Sequence, residues 1–259
     1  SAQAILDFNN SGLSILEISH RSKDFVAVMD EARALALELL GLEGKGYKAL
    51  FLGGGASLEF LMVPYNLMKE NGKAAYLDSG TWATAAIKEA KFFGETVIVG
   101  SSKEDNYNYV PKGYEIPADA DYFHCTSNNT IFGTQMKEFP STNVPVVCDM
   151  SSDIFSRVLD FSKFDIIYAG AQKNMGPAGA ALVVIKEEIL GKNGRNIPSM
   201  LDYAKHIKAD SMYNTPPVFS VYASLLTLQW IKAKGGVAAV EKLNNAKAAL
   251  LYGEIDRNP

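Results

Sequence analysis

Short apolar runs alternate with amphipathic, helix-like segments along nearly the whole chain, and this alternation constrains the fold more than any other feature. The strand-like runs are Lys48–Leu52, Ala74–Leu77, Thr96–Val99, Tyr122–Cys125, Val144–Cys148, Asp165–Ala169 and Ala180–Ile185. Helical spacing of apolar residues is found in Ser22–Leu40, Thr81–Phe93, Pro217–Lys234 and Gly236–Ile255. Apolar strands separated by helices are typical of α/β proteins whose mostly parallel sheet is buried on both faces.

Another helical pattern begins near Ser57, directly after the glycine turn Gly53–Gly55. Pro64 lies inside this pattern. Because proline lacks the backbone N–H of a helix interior, we expect this helix either to be kinked or to start later than the pattern indicates.

Composition excludes several classes of protein. Of the 259 residues, 47% are hydrophobic and 21% are charged, which is ordinary for a globular chain. The formal net charge of −4 gives no reason to expect nucleic acid or an anionic membrane as a partner. No apolar run approaches the roughly 18 residues that a transmembrane helix needs. Cys125 and Cys148 cannot by themselves form a disulfide framework or a four-ligand zinc site, so we expect no metal and a cytoplasmic location.

Polar residues follow four of the predicted segments at the point where each strand ends. They are the Gly53–Gly55 turn, Thr130, Asp149 and Lys173. In open α/β sheets, ligands bind beyond the carboxyl ends of the strands. The sequence therefore predicts a ligand site built from these four segments.

Each of these residues has an ordinary interpretation as well as a chemical one. Gly53–Gly55 between a strand and a helix can hold a phosphate on its N–H groups, or can simply be a tight turn. Lys173 can form a Schiff base if it is partly desolvated, although most lysines are solvated surface groups. Asp149 can pair with a pyridinium nitrogen, an arginine or a helix N-terminus, or can cap the segment after Met150.

Aromatic and basic residues elsewhere add candidates of lower specificity. Trp82 can stack on an aromatic ring or belong to the core. His20 and Arg21 precede a helix cap and suit an anionic substrate, or contribute only polarity at the surface. His124 and His206 lack the spacing of metal ligands, so we interpret both as structural.

Taken together, these residues resemble the phosphoserine aminotransferase family, which belongs to the class V pyridoxal-phosphate enzymes with the aspartate-aminotransferase fold. The motifs that carry the resemblance are SHRSKDF (19–25), GGGAS (53–57), DSGTWA (78–83), CDMSS (148–152), YAGAQKNMGPAG (168–179) and SMYNTPP (211–217). The resemblance implies a seven-stranded-type sheet, as in the large domain of that fold.

The resemblance also implies roles around the pyridoxal ring. Lys173 would form a Schiff base with the cofactor aldehyde, and Asp149 would keep the ring nitrogen protonated. Trp82 would stack on the ring, and Thr130 would hydrogen-bond to its phenolic side.

The same resemblance implies how the cofactor phosphate is held. Gly55 and Ala56 would bind it through backbone N–H groups, with help from Gln172. Asn214 and Thr215 would reach it from the other subunit, which implies a homodimer with shared active sites.

His20 and Arg21 would contact the distal phosphate or carboxylate of the substrate, as the resemblance has it. Residues 1–20 are then an N-terminal segment, and residues 21–259 are the cofactor-binding large domain. The chain contains no counterpart of the family's arginine for the substrate α-carboxylate, which lies in a C-terminal small domain. We therefore expect that small domain to be missing from these residues.

The function implied is a phosphoserine transaminase of serine biosynthesis. It would transfer the amino group between glutamate and 3-phosphohydroxypyruvate, giving O-phosphoserine and 2-oxoglutarate. Two alternatives stay open: another class V pyridoxal-phosphate enzyme, such as an alanine–glyoxylate aminotransferase or a desulfurase, and a non-catalytic phosphate-binding module.

Overall fold

The computed structural model describes residues 1–258, and this part of the chain contains one seven-stranded sheet. Its strands are β1 (Tyr47–Leu52), β2 (Lys73–Asp78), β3 (Glu95–Ser101), β4 (Phe123–Thr126), β5 (Val146–Asp149), β6 (Ile166–Gly170) and β7 (Ala181–Lys186). The strand order is β1-β7-β6-β5-β4-β2-β3. Strand β7 runs antiparallel to both of its neighbours, whereas β6, β5, β4, β2 and β3 pair in parallel. The prediction of a mostly parallel, seven-stranded sheet is confirmed.

Burial on both faces explains why the central strands are mostly apolar. Every residue of β4, β5 and β6 is buried. Strand β3 lies at one edge of the sheet, and its residues are exposed or half-buried. A central strand has no solvent face that could accept an alternating polar pattern.

Eight α-helices surround the sheet within residues 1–258. They are α1 (Ala2–Leu6), α2 (Lys23–Leu39), α3 (Gly55–Leu67), α4 (Thr81–Ala90), α5 (Ala171–Asn174), α6 (Tyr203–Lys208), α7 (Val218–Ala233) and α8 (Gly236–Arg257). Helices α2 and α7 pack on each other and on one face of the sheet. Helices α3, α4 and α6 cover the other face, so the sheet lies between two layers of helices, as predicted.

Local chemistry accounts for the helix starts. The Ser22 side chain accepts a hydrogen bond from the Phe25 N–H, which caps α2 at the predicted residue. Helix α3 begins at Gly55 and continues through Pro64 to Leu67. The later start that we expected from Pro64 is therefore wrong. Pro64 lies in the last part of the helix and is buried, where packing offsets the missing N–H.

Helix α8 differs from the other long helices because most of its surface is exposed. Val237 and Val240 are its buried residues. Its exposed large apolar side chains are Leu243, Leu250, Leu251, Tyr252 and Ile255.

Candidate active site

Side chains from four segments meet in one cavity of about 110 Å³ at the carboxyl ends of β5 and β6. Its lining residues are Gly55, Ala56, Ser57, Phe60, Trp82, Asp149, Ser151, Gln172 and Lys173. The glycine turn, the tryptophan, the aspartate and the lysine that the sequence singled out are thus brought together. Of the four segments predicted from the strand ends, the glycine turn, Asp149 and Lys173 line the cavity, and Thr130 contacts Lys173.

Lys173 lies on the short helix α5, which begins directly after β6. Its Nζ donates a hydrogen bond of 2.9 Å to Thr130 Oγ1. The same Nζ lies 5.4 Å from the centroid of the Trp82 ring. The amine therefore points into the cavity between the loop after β4 and the first turn of α4.

Asp149 is the last residue of β5 and is only 4% exposed. Its Oδ1 accepts hydrogen bonds from the Ser151 backbone N–H, at 2.9 Å, and from Ser151 Oγ, at 2.7 Å. Burial raises the pKa of the Asp149 carboxyl, and the Ser151 hydrogen bonds and the Lys173 charge partly offset this rise. Oδ2 accepts no hydrogen bond from any residue in 1–258, so a cationic or N–H partner would be favourable there.

The bond from the Ser151 N–H to the Asp149 side chain resembles a helix N-cap, which was the alternative to a pyridinium partner in the sequence analysis. The segment after Met150 is a series of turns instead of a helix. Ser151 links this turn to the next strand, because its Oγ accepts a 3.1 Å hydrogen bond from the Gly170 N–H.

The glycine turn leads from β1 into α3 with backbone angles that few other residues adopt. Gly54 has φ +97° and Gly55 has φ +64°. A Cβ on Gly54 would lie 2.5 Å from Leu58 Cδ2, whereas a Cβ on Gly55 would meet nothing within 4 Å. Gly55 therefore leaves open space above the start of the helix, where backbone N–H groups can approach an anion.

Trp82 lies in the first turn of α4, and hydroxyl groups hold this turn in place. Thr84 Oγ1 contacts Asp78 Oδ1 at 2.7 Å and the Gly80 carbonyl oxygen at 3.2 Å. The Trp82 Nε1 atom is buried and has no hydrogen-bond partner among residues 1–258. The indole thus offers a ring face to the lysine and an unused donor.

Five of the predicted site residues do not line this cavity, and one of them, Thr130, is linked to it only by its hydrogen bond from Lys173 Nζ. Asn214 and Thr215 are exposed, and Asn214 lines a separate cavity of about 150 Å³ together with Gly53. His20 is half-buried, with an Nε2 atom that has no hydrogen-bond partner in the described chain, and Arg21 is exposed. The roles of these residues, like those of the residues that line the cavity, stay predictions.

Sequence reasoning missed three lining residues, namely Ser57, Phe60 and Ser151. Ser57 and Ser151 lie inside the motifs GGGAS and CDMSS. Their positions beside the glycine turn and Asp149 could have predicted that they line the site. Phe60 carries no local signal, because one phenylalanine in an apolar helix looks like any other core residue.

The chain matches the class-V aminotransferase family over residues 2–259. It is 87% identical to the phosphoserine aminotransferase of Flavobacterium johnsoniae over 259 residues, which is all of this chain and 73% of that relative. The chain belongs to the class-V aminotransferase family. This result confirms the resemblance that the sequence motifs suggested.

Solved structures of phosphoserine aminotransferases agree with this assignment. The phosphoserine aminotransferase of Bacillus circulans subsp. alkalophilus superposes with a TM-score of 0.94 at 45% identity, covering 98% of this chain and 72% of that one. The pyridoxal-phosphate-bound phosphoserine aminotransferase of Trichomonas vaginalis gives a TM-score of 0.92 at 36% identity, covering 100% of this chain and 77% of that one. The fold described above is therefore the aspartate-aminotransferase-like fold that the sequence predicted.

Within residues 1–258, no helix is long and apolar enough to cross a bilayer.

Proposed function

We propose that this class-V aminotransferase is a phosphoserine transaminase that uses pyridoxal 5'-phosphate. It transfers the amino group between glutamate and 3-phosphohydroxypyruvate, giving O-phosphoserine and 2-oxoglutarate in serine biosynthesis. The observation that carries the proposal is that the Lys173 amine, the Asp149 carboxylate and the Gly55 turn line one cavity. The 87% identity to a phosphoserine aminotransferase supports the choice of substrate within the family.

The residues of this cavity fit pyridoxal phosphate. Asp149 Oδ2 accepts no hydrogen bond within residues 1–258, and a protonated ring nitrogen would satisfy it. The buried Trp82 Nε1 is an unused donor that a ligand oxygen would satisfy. A side chain at position 55 would project into the open space above the turn, where the phosphate is expected.

When bound, pyridoxal phosphate supplies an aldehyde that takes up primary amines and a protonated ring that withdraws electrons from the substrate α-carbon. The protein residues bind and orient the reacting groups. Asp149 would hold a proton on the ring nitrogen by pairing its carboxylate with the positive charge of the ring. Lys173 would hold the cofactor through its amine, and its Nζ would take the proton from the substrate α-carbon.

Thr130 and Trp82 set the position of that amine. The Thr130 hydroxyl accepts from Lys173 Nζ and would also reach the phenolic side of the ring. Trp82 presents its ring face 5.4 Å from the same nitrogen and would stack on the cofactor. Backbone N–H groups of Gly55 and Ala56, together with Gln172, would hold the phosphate.

The remaining site residues belong to a homodimer with shared active sites in this proposal. Asn214 and Thr215 of one subunit reach the cofactor phosphate of the other, which agrees with their exposure. His20 and Arg21 bind the distal phosphate or carboxylate of the substrate, for which an exposed guanidinium is suited. Residues 21–259 form the cofactor-binding large domain.

The two cysteines argue against the desulfurase alternative, because that chemistry needs a mobile, accessible thiol. Cys125 and Cys148 are both free and fully buried on strands. Burial raises the pKa of the Cys148 thiol, so it is a poor nucleophile. Free cysteines also support a reducing compartment, and we place the protein in the cytoplasm.

The test compares Lys173→Ala with Lys163→Ala in the full-length protein incubated with pyridoxal phosphate. Lys163 is an exposed lysine that does not line the cavity. Lys173→Ala should lose the visible absorbance of the lysine-linked cofactor and at least about a thousandfold in kcat, whereas Lys163→Ala should keep both. A Lys173→Ala protein that keeps the absorbance would exclude this assignment.

A substrate panel separates phosphoserine from other amino donors. Glutamate with 3-phosphohydroxypyruvate should be the preferred pair. Good activity with alanine and none with phosphoserine would favour the alanine–glyoxylate alternative instead. A protein without any visible absorbance after incubation with the cofactor would favour a non-catalytic phosphate-binding module.

A further inference from the structure

Thr130 lies at the tip of a closed turn that follows β4. The Asn129 N–H donates to the Thr134 carbonyl oxygen at 2.8 Å, and Asn128 and Gln135 form an isolated antiparallel bridge. The position of this turn determines where the Thr130 hydroxyl meets Lys173 Nζ, because Thr130 itself is exposed.

Two buried charged residues hold the base of that turn. Arg157 contacts Asp153 Oδ2 through Nε at 3.0 Å and through Nη2 at 2.8 Å, and its Nη1 donates to the Met136 carbonyl oxygen at 2.7 Å. Asp153 Oδ1 accepts a 2.5 Å hydrogen bond from Ser127 Oγ. The Met136 N–H in turn donates to the Ser127 carbonyl oxygen, so both ends of the turn are fixed to one ion pair.

This ion pair is costly to bury and lies outside the cavity. Asp153 is 5% exposed and Arg157 is 9% exposed. Neither residue lines the cavity that contains Lys173. A buried ion pair rarely adds stability over well-packed apolar residues. We therefore infer the role of Asp153 and Arg157 from the groups that they hold in place.

Hydrogen bonds of residues 149–157 also fix the positions of Asp149 and of the helix that carries Lys173. The Ser127 N–H donates to the Asp149 carbonyl oxygen at 3.0 Å, and Ser127 Oγ lies 3.1 Å from the same oxygen. Asn174, next to Lys173, donates through Nδ2 to the Ile154 carbonyl oxygen at 2.5 Å. Residues 149–157 therefore form a common support for the acid, the hydroxyl and the amine.

We propose that Asp153 and Arg157 are positioning residues that fix Thr130 relative to Lys173 and to the cofactor ring. The inference rests on the proposed function, because it assigns a role to Thr130 at the pyridoxal phosphate site. Arg157 acts through the turn: it binds Asp153 and the Met136 carbonyl at once, which a lysine cannot do with the same geometry.

The experiment compares Arg157→Lys with Arg195→Lys in the full-length protein. Arg195 is a matched control: it donates to the Met68 carbonyl oxygen at 2.7 Å and lies over the Phe93 ring, as Arg157 lies over the Phe139 ring. It does not line the Lys173 cavity. The readouts are the dissociation constant for pyridoxal phosphate and the pH midpoint of the visible absorbance change of the bound cofactor.

Arg157→Lys should weaken cofactor binding about five- to tenfold, the effect of losing one well-placed hydrogen bond, and should move the absorbance midpoint. Arg195→Lys should change neither readout, although it lowers thermal stability. A purely structural role of Arg157 would lower thermal stability and leave the absorbance midpoint of the folded protein in place, and that result would overturn the inference.

A double-variant cycle with Thr130→Val tests whether Arg157 acts through Thr130. In the Thr130→Val background, Arg157→Lys should have no further effect on the absorbance midpoint. Additive effects of the two substitutions would overturn the inference.

Ser127→Ala repeats the test if Arg157→Lys does not fold, because it loosens the same turn without changing a buried charge. It should shift the midpoint in the same direction, and an unchanged midpoint would count against the inference. The two proposals fail differently: a wild-type protein without Lys173-dependent absorbance overturns the proposed function and this inference with it. A normal wild-type spectrum with an unaffected Arg157→Lys variant overturns the inference alone.

Discussion

The two faces of the sheet are formed by the same strands but carry different kinds of side chain. Most side chains that point toward α2 and α7 are apolar or are cysteines, and examples are Phe51, Phe123, Cys125, Cys148, Ile167 and Val184. Side chains that point toward α3, α4 and α6 include Tyr76, His124, Asp149 and Tyr168. Because successive residues of a strand alternate between faces, one short strand such as β4 contributes to both.

The polar side chains of the second face are hydrogen-bonded in pairs. His124 Nε2 lies 2.7 Å from the Tyr168 hydroxyl. Burial lowers the pKa of His124 to about 3, so this pair is uncharged at neutral pH. The cavity opens at the carboxyl end of this face, beside Asp149. We infer that the first face mainly stabilises the fold, whereas the second face mainly supports the chemistry.

The largest expected effect is on activity, from Asp149→Asn on the second face. An amide cannot balance the positive charge of a protonated ring, so kcat/KM should fall about a thousandfold. The cofactor-free protein should be at least as stable as the wild type, because burial disfavours the ionised Asp149. Kinetics and thermal unfolding of the cofactor-free protein measure the two effects.

Asp121→Asn is the control for this substitution, because Asp121 pairs with Lys69 beyond the amino end of β4, away from the cavity. It should leave kcat/KM within about twofold. Near-normal activity in Asp149→Asn would contradict the division between the two faces.

Phe123→Ala on the first face should have the opposite profile. Phe123 is fully buried and stacks on Tyr114 at 5.8 Å between ring centroids. Removing the ring should lower the free energy of unfolding by about 3–5 kcal/mol, as measured by urea unfolding. Cofactor affinity of the folded fraction should stay within about twofold of the wild type, and a much larger loss of affinity would show that the first face also shapes the site.

Glu59→Gln should remove part of the pH dependence of the stability. Glu59 is fully buried, accepts a 2.5 Å hydrogen bond from the Tyr203 hydroxyl, and has a pKa raised by burial to about 7. Between pH of about 4.5 and 7, the folded chain keeps this proton while the unfolded chain has lost it, so wild-type stability falls as pH rises through that range.

The glutamine variant has no such proton to lose. Its advantage in free energy of unfolding over the wild type should therefore grow by about 2–3 kcal/mol from pH 5 to pH 8. Glu43→Gln, at an exposed position, should show no such growth. Parallel wild-type and Glu59→Gln stability curves would mean that Glu59 does not retain its proton.

The smallest effect is expected from Tyr76→Phe. The hydroxyl groups of Tyr76 and Tyr122 lie 2.5 Å apart, and both residues are buried. Leaving the Tyr122 hydroxyl without this partner should cost about 1 kcal/mol in urea unfolding. The double variant Tyr76→Phe/Tyr122→Phe should recover most of that loss, and equal losses in both variants would argue against a paired hydroxyl.

The fold is predictable where the chain carries a repeated local pattern. The pattern predicts helix α7 from Pro217 to Lys234, and the helix is found at Val218–Ala233. Helix α6 (Tyr203–Lys208) is missed because six residues are too few to show a helical period. Its position depends on the contact between Tyr203 and Glu59, which are 144 residues apart in the chain.

The site is predictable to the extent that strand ends share one edge of a parallel sheet. This rule alone is enough to bring Thr130, Asp149 and Lys173 together. It cannot find Phe60 or the Asp153–Arg157 pair, whose roles depend on long-range packing. The antiparallel direction of β7 is likewise not predicted, because a local sequence pattern does not determine which strands pair or in which direction.

Borohydride reduction of the full-length protein with pyridoxal phosphate, followed by peptide mass mapping, tests the central claim most directly. Reduction makes a lysine–cofactor bond permanent. The account predicts that the added cofactor mass is found on the peptide that contains Lys173, in about one copy per chain. Modification spread over other lysines with none on Lys173 would contradict it.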